Sequence, residues 1–410
     1  MEKRKVLMLT RLFPSTAHPT LGTFCLERAK ALAKVADVRV MVPTPYFPRG
    51  VPAPKEWRRW SEVESECELE GSIRVSYPRY FSMPKIATFS QGLAMAYSVS
   101  RDLKARYAGW RPDVIDGHFA FPDGYAAVRL GREIGCPTVV TCHGADLRVY
   151  HSHTIVSSML GWTLRKADRV VAVSSDLKRR SIAFGCPEEN TVFLSNGVDP
   201  GKFALRAKSA CRERLGLPQE RKIGAYVGCL SDRKNQSLVI RAVDEIRKRG
   251  HVPPLVVLVG GGPNRRRLEQ EIAGLGLGGH VLLAGERPHE EVALWMGAAD
   301  WLVLSSDYEG WATVYFEAMA CGRPVVTSNV SSAKDAVCKP DYGNVVEPTT
   351  HEAFATALIE ASAKDYDAGL IRAYAEEHSW KHWADQAMAV FEKAAEHKSS
   401  LTAINASALI

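Results

Sequence analysis

No run of about 18 apolar residues occurs in the chain, so the sequence offers no membrane-spanning helix. The opening MEKRKVLMLTRLFP is continuously apolar only over Val6–Leu9. That is too short for a signal-peptide core and reads as a first strand. The nine cysteines stand singly, with no C-x2-C pair and one left over. Neither a zinc framework nor a disulfide framework follows, and reduced thiols in a cytoplasmic protein are expected. There is no internal repeat, and SEVESECELE is the only low-complexity tract. A composition of 46% hydrophobic and 24% charged residues excludes a disordered, collagenous or coiled-coil chain.

The 410 residues point to two domains of ordinary size, and charge divides them. Residues 1–198 carry 28 Lys+Arg against 19 Asp+Glu, a balance of +9. The remainder, 25 against 27, balances at −2. A basic first half faces something anionic, or is ordinary solvated charge.

Short β-branched runs alternate with helical patterns along both halves, which predicts parallel sheets covered by helices on both faces. The expected strands include Val6–Thr10, Val38–Val42, Val114–Gly117 and Thr138–Thr141, then Lys222–Val227, Leu255–Val259 and Trp301–Leu304 after a restart. A dozen strands exceed one ordinary sheet, so two doubly wound, Rossmann-like domains facing a central cleft are expected. The turn-rich NGVDPGKF at 196–203 marks the boundary. The expected division is 1–198, 199–375, C-terminal helices at 376–398 crossing back onto the first domain, and a tail at 399–410. Pro43–Glu70 reads as a long irregular stretch of the kind that carries function.

Ligands of such folds meet residues just beyond the strands. After the 301–304 strand, Glu309 and Glu317 enclose seven residues and a helix begins near Thr313. A loop running into a helix N-terminus suits a diphosphate, with Glu317 one turn inside for neighbouring hydroxyls. Arg233 and Lys234 follow the 222–227 strand, where cations meet phosphate. Gly260, Gly261 and Gly262 follow the 255–259 strand without the spacing of a dinucleotide fingerprint, and are expected to let backbone approach a base or ribose. Gly22 opens a similar place after the first strand. His118 and His143 stand at two strand ends, a position held by structural as well as functional histidines.

The segments SSDYEG…EAMACGRPVV, NGVD, LVGGGP, AYVGCLSDRKN, IDGHFAFPDGYAA and VTCHGADL together resemble the signature of family 4 retaining glycosyltransferases, which have the GT-B fold. Within that family the chain is similar to enzymes that build extracellular polysaccharides, teichuronic acid-type enzymes among them. The resemblance implies that Glu309 hydrogen-bonds the donor sugar and Glu317 the nucleotide ribose. Lys234 would neutralise the diphosphate, aided by backbone N–H groups around Gly310, Ala312, Thr313 and Val314, and Gly22 would approach the same phosphates. His118 would lie by the reacting centre as a catalytic residue with Glu309 and Lys234. His143, Asp146 and Asp123 would lie on the acceptor side. Two departures stand out: Cys229 replaces a common phosphate-binding Arg, and Ala312 replaces a Gly.

The implied activity is metal-independent, retaining transfer from a nucleotide-diphosphate sugar to a glycan or lipid-linked acceptor. The sugar nucleotide is a co-substrate, and no cofactor is expected. The single Asp-x-Asp, Asp365–Asp367, lies between helical patterns and reads as a surface turn. KEWRRW interleaves Trp57 and Trp60 with Arg58 and Arg59, which fits peripheral contact with an anionic membrane at the inner face of the plasma membrane. No nucleic-acid recognition motif accompanies it. A non-catalytic nucleotide-sugar or glycan-binding module and a sugar-nucleotide 2-epimerase are the alternatives.

Overall fold

A computed structural model of the chain describes residues 3–46, 59–70, 72–81, 88–149 and 154–407. Trp57 and Arg58 lie outside the described residues. The chain forms two compact units, one of residues 1–196 with 380–410 and the other of residues 197–379.

The first unit holds β1 (Lys5–Leu9), β2 (Asp37–Met41), β3 (Thr44–Tyr46), β4 (Glu66–Leu69), β5 (Ile73–Ser76), β6 (Arg79–Phe81), β7 (Val114–His118), β8 (Thr138–Cys142), β9 (Arg169–Ala172) and β10 (Thr191–Phe193). Eight strands make one sheet in the order β10-β9-β8-β7-β1-β2-β5-β4, while β3 and β6 form a separate two-stranded ribbon. All pairs in the large sheet are parallel except β4 with β5. The central strands are buried along their whole length because helices cover both faces, which is why they read as Val/Ile/Leu runs. The long C-terminal helix Trp380–Ser407 sets Trp383, Ala387, Val390 and Phe391 into the core on one face of this sheet. Helix Ser90–Arg106 covers the other face, burying Met95, Val99 and Leu103 against Leu7, Leu9 and Ile115.

The second unit holds β11 (Ile223–Val227), β12 (Leu255–Val259), β13 (Val281–Gly285), β14 (Trp301–Leu304), β15 (Val325–Ser328) and β16 (Gly343–Val346). Its all-parallel sheet has the order β13-β12-β11-β14-β15-β16. In each unit the chain winds outward from one central strand and then returns to wind the other way. The reversal falls between β1 and β7 in the first unit and between β11 and β14 in the second. Loops diverge there beyond the strand ends and open a crevice.

Part of the stretch expected to be irregular is regular. Glu66-Cys67-Glu68-Leu69 is an antiparallel edge strand whose glutamates face solvent while Cys67 and Leu69 turn inward. An alternating charged strand of this kind protects a sheet edge from further pairing.

Candidate functional site

The second unit's site is built at its reversal point. Arg233 and Lys234 lie in the turn after β11, and Glu309 lies in the loop after β14. Lys234 Nζ is 2.5 Å from Glu309 Oε1, and Arg233 Nη1 is 3.1 Å from Glu309 Oε2. Glu309 and Lys234 are largely enclosed, whereas Arg233 is half exposed. A carboxylate has about four acceptor positions and an ammonium three donors. Both groups therefore keep hydrogen-bonding capacity for a ligand while they hold each other.

Neutral groups unnoticed in the sequence fix these two loops. The buried Tyr226 hydroxyl donates to the Lys234 carbonyl, and Ser305 Oγ donates to the Asn235 carbonyl at 2.6 Å. Asp307 N–H donates to the Arg233 carbonyl at 2.9 Å, and Ser331 Oγ donates to the Glu309 carbonyl. The lysine and glutamate are thus presented by backbone that is itself tied down. Asn235 takes a left-handed conformation (φ 48°) to close the turn before helix Gln236–Lys248.

Glu317 lies in the first turn of helix Val314–Ala320. His289 Nε2 stands 3.5 Å from its Oε1, and Lys202 Nζ donates to His289 Nδ1 at 2.7 Å. The Lys202–His289 pair holds the glutamate side chain from behind. Gly310, Ala312, Thr313 and Val314 form the connection between Glu309 and this helix, with Ala312 buried. Cys229 is exposed in the loop after β11.

Three of the glycines sit close against neighbouring backbone. A Cβ on Gly260 would fall 2.1 Å from the Gly228 carbonyl oxygen, and one on Gly262 would fall 2.4 Å from the Leu230 carbonyl oxygen. Both have positive φ. Their close approach is to the neighbouring loop of the same unit, which Leu230 N–H also joins by bonding the Gly261 carbonyl at 2.8 Å. Gly22 behaves alike: at φ 67°, its Cβ would fall 2.1 Å from the Leu12 carbonyl oxygen. A Cβ at Gly22, Gly260 or Gly262 would therefore meet neighbouring backbone.

In the first unit the histidine pair is also at the reversal point. His118 ends β7, and its Nε2 is 3.0 Å from Asp116 Oδ2. Its Nδ1 is 3.0 Å from His143 Nε2, just beyond β8. The two rings stack at 5.2 Å with a 16° interplanar angle. His118 is 0% exposed, and both of its ring nitrogens are engaged by protein groups. His143 is the partly exposed member, packed between Phe24 and Phe119.

Burial works against the Asp116 charge, yet His118 and the buried Arg28 hold its carboxyl below the ordinary range. Burial, with the Arg28 charge and His118 adding to it, pushes His143 well below an ordinary histidine, so its ring is neutral near pH 7. With Asp116 accepting from His118 Nε2–H, His118 Nδ1 accepts from His143 Nε2–H, and His143 Nδ1 is left as a hydrogen-bond acceptor. Arg28 donates from Nε to Asn196 Oδ1 at 2.9 Å and lies 4.8 Å from the Trp383 ring centroid.

Asp123 and Asp146 are buried carboxylates that organise loops. Asp123 accepts from Arg11 N–H at 2.5 Å and Arg11 Nε at 3.0 Å. Asp146 accepts from the backbone N–H of Ala120, Gly144 and Leu147 at 2.7–3.1 Å. Burial raises both from the usual carboxylate range despite these bonds. Asp146 also accepts from the His143 N–H at 3.4 Å and so shapes its surroundings.

Trp60 packs against His18 with ring centroids 4.3 Å apart at a 38° tilt and gives its carbonyl to Arg79, while Arg59 is exposed. Asp367 caps helix Ala368–Glu376 through the N–H groups of Gly369 and Leu370.

Residues 21–202 match the model described as Glycosyltransferase Family 4, and residues 208–378 match that described as Glycosyl transferases group 1. The putative teichuronic acid biosynthesis glycosyltransferase TuaC of Bacillus subtilis is 29% identical over 86% of this chain and 88% of its own. A GDP-mannose-dependent alpha-(1-6)-phosphatidylinositol monomannoside mannosyltransferase of Mycolicibacterium smegmatis is 34% identical over 57% of this chain and 64% of its own. Among solved structures, Anabaena Alr3699/HepE in complex with UDP and glucose superposes with a TM-score of 0.70 at 20% identity, covering 95% of this chain and all of that one. With both units matched in order, and each with the doubly wound topology that such enzymes use, the chain belongs to the family 4 glycosyltransferases and has the GT-B fold.

Proposed function

We propose that the chain is a retaining glycosyltransferase. It would move a sugar from a nucleotide-diphosphate donor to a hydroxyl of a glycan or lipid-linked acceptor in cell-surface polysaccharide synthesis. The observation that carries this reading is the enclosed Glu309 carboxylate held between Lys234 and Arg233 at the second unit's reversal point. Names of relatives support the substrate class: HepE is described with UDP and glucose, and the mycobacterial enzyme with GDP-mannose and a phosphatidylinositol mannoside.

In this mechanism negative charge grows on the leaving diphosphate as the anomeric carbon becomes oxocarbenium-like. Lys234 and Arg233 stabilise that charge, and backbone N–H groups around Gly310–Val314 assist. Glu309 orients the sugar through its hydroxyls, and Glu317, steadied by His289, takes the ribose. Arg233 takes over the cationic role that Cys229 leaves unfilled. The leaving phosphate takes the acceptor proton, so Glu309 acts by orientation and not as a nucleophile. Transfer needs no divalent metal, and Asp367 serves its helix as a cap. The basic first unit serves the acceptor, with His143 as the partly exposed member of its histidine pair and Asp123 and Asp146 as its supports. The protein then works in the cytoplasm, in peripheral contact with an anionic membrane at its inner face.

A thermal-shift screen of nucleotide sugars, followed by nucleoside diphosphate release in the presence and absence of EDTA, tests the reading. Product anomeric configuration by NMR tests retention. A binding module would be stabilised by ligand but release no diphosphate, and a 2-epimerase would convert one sugar nucleotide into another without acceptor.

A further inference from the structure

Twelve large hydrophobic side chains are exposed among the described residues, and five of them belong to one part of the first unit. Phe89 (45% exposed), Leu93 (45%) and Tyr97 (72%) recur at intervals of four at the start and along the N-terminal half of helix Ser90–Arg106. That spacing puts them in one solvent-facing stripe. Tyr46 and Phe81 are register partners in the β3–β6 ribbon, which packs on the same helix, with Ser98 Oγ bonding the Arg79 carbonyl at 2.7 Å. Single exposed hydrophobics are ordinary, but a contiguous group marks a contact surface.

The same stripe continues into cations. Arg101 follows Tyr97 by four residues, and Arg129 and Arg132 of helix Tyr125–Ile134 line the groove beside Leu93, Tyr97 and Arg101. Glu133 is the acidic residue in this groove, and it is already bonded to Lys104 at 2.6 Å and Ser100 at 2.8 Å. The three arginines therefore remain as surplus positive charge. Aromatic and aliphatic groups beside uncompensated arginines complement a surface that is apolar inside and anionic at its rim. No helix among the described residues is long and apolar enough to cross a membrane, so such contact is peripheral.

We infer that this helix face and its ribbon are the docking surface of the first unit for an anionic lipid bilayer. The inference rests on the proposed lipid-linked acceptor and deepens it by naming a surface in addition to the segment containing Arg59 and Trp60. The face works by inserting Leu93 and Tyr97 into the headgroup region while Arg101, Arg129 and Arg132 meet lipid phosphates.

The test is flotation of the full chain with vesicles of phosphatidylcholine, with and without phosphatidylglycerol, scored without any sugar donor or acceptor. The wild type is expected to float with the anionic vesicles and not with the neutral ones. Leu93→Ser with Tyr97→Ser should cut flotation about tenfold, and Arg129→Glu with Arg132→Glu should cut it by roughly fivefold per arginine replaced. All variants should keep the wild-type melting temperature, since these side chains are exposed. Unchanged flotation of either pair, or wild-type protein that stays unbound, overturns the inference. So does equal binding to a soluble acidic polysaccharide that ignores the Leu93/Tyr97 pair, because that would make the face a polyanion site. Protein that floats as expected but transfers no sugar would leave this surface standing and count against the enzymatic reading instead.

Discussion

His118 hands one ring nitrogen to His143 at 3.0 Å while its other nitrogen is held at 3.0 Å by Asp116, so a buried histidine sets the orientation and proton of a partly exposed one. Asp116→Asn should therefore act through His143. The expected outcome is a rise in acceptor KM of about 10-fold with little change in donor KM, and an altered pH profile of acceptor KM. If Asp116 merely supported the fold, the melting temperature would drop while the pH profile of the folded enzyme stayed the same.

The neutral His143 also links stability to pH. Its pKa is lowered in the folded protein, chiefly by burial and then by Arg28. Below the ordinary histidine value of 6.5, the unfolded chain binds a proton that the native chain does not. Stability is then lost as pH falls from that value toward the folded pKa, and is kept above it. Thermal melts between about pH 5 and 7.5 should show this slope in the wild type and a shallower one in His143→Phe. Parallel slopes would remove His143 from the account.

Lys234 and Glu309 are coupled in a way a double substitution can separate. Lys234→Met leaves an enclosed carboxylate with only the half-exposed Arg233 beside it. Losing one partner of a buried pair costs about 3 kcal/mol. Adding Glu309→Gln should recover most of that stability while transfer stays lost. Recovery of activity along with stability would mean that the pair is structural.

The glycines separate equally cleanly. Gly260→Ala forces a methyl to within 2.1 Å of the Gly228 carbonyl at φ 147°, so it should cost at least about 2 kcal/mol and disturb the loop carrying Cys229. Gly274→Ala, which meets nothing within 4 Å at the end of helix Arg265–Gly274, should be neutral or stabilising by up to about 1 kcal/mol. Chemical denaturation of both variants checks the contrast.

Much of this architecture is legible in the chain. The strands are β-branched runs because both faces are buried, and the Glu309–Glu317 spacing after such a run marks the loop and helix. What escaped notice has a common physical cause. Tyr226, Ser305 and Ser331 act through hydroxyls that bond backbone carbonyls, in one case 70 residues away, and such partners leave no residue pattern. The order of the two histidines was hidden because His118 ends β7 and His143 directly follows β8, and only packing shows which ring is covered. The triple glycine pointed to close approach, and Gly260 and Gly262 do lie close against a neighbouring loop, which no residue pattern announces. SEVESECELE read as a charged tract because an edge strand needs only every second residue inward.

Glu309 is where the account is most exposed to test. Once a nucleotide sugar that stabilises the protein has been found, the measurement is the rate of nucleoside diphosphate release by wild type and Glu309→Ala at saturating donor. The account predicts measurable release by the wild type, and a loss of about 100-fold or more in the variant with the fold intact. Equal rates in the two proteins, or donor binding with no release from the wild type, would contradict it.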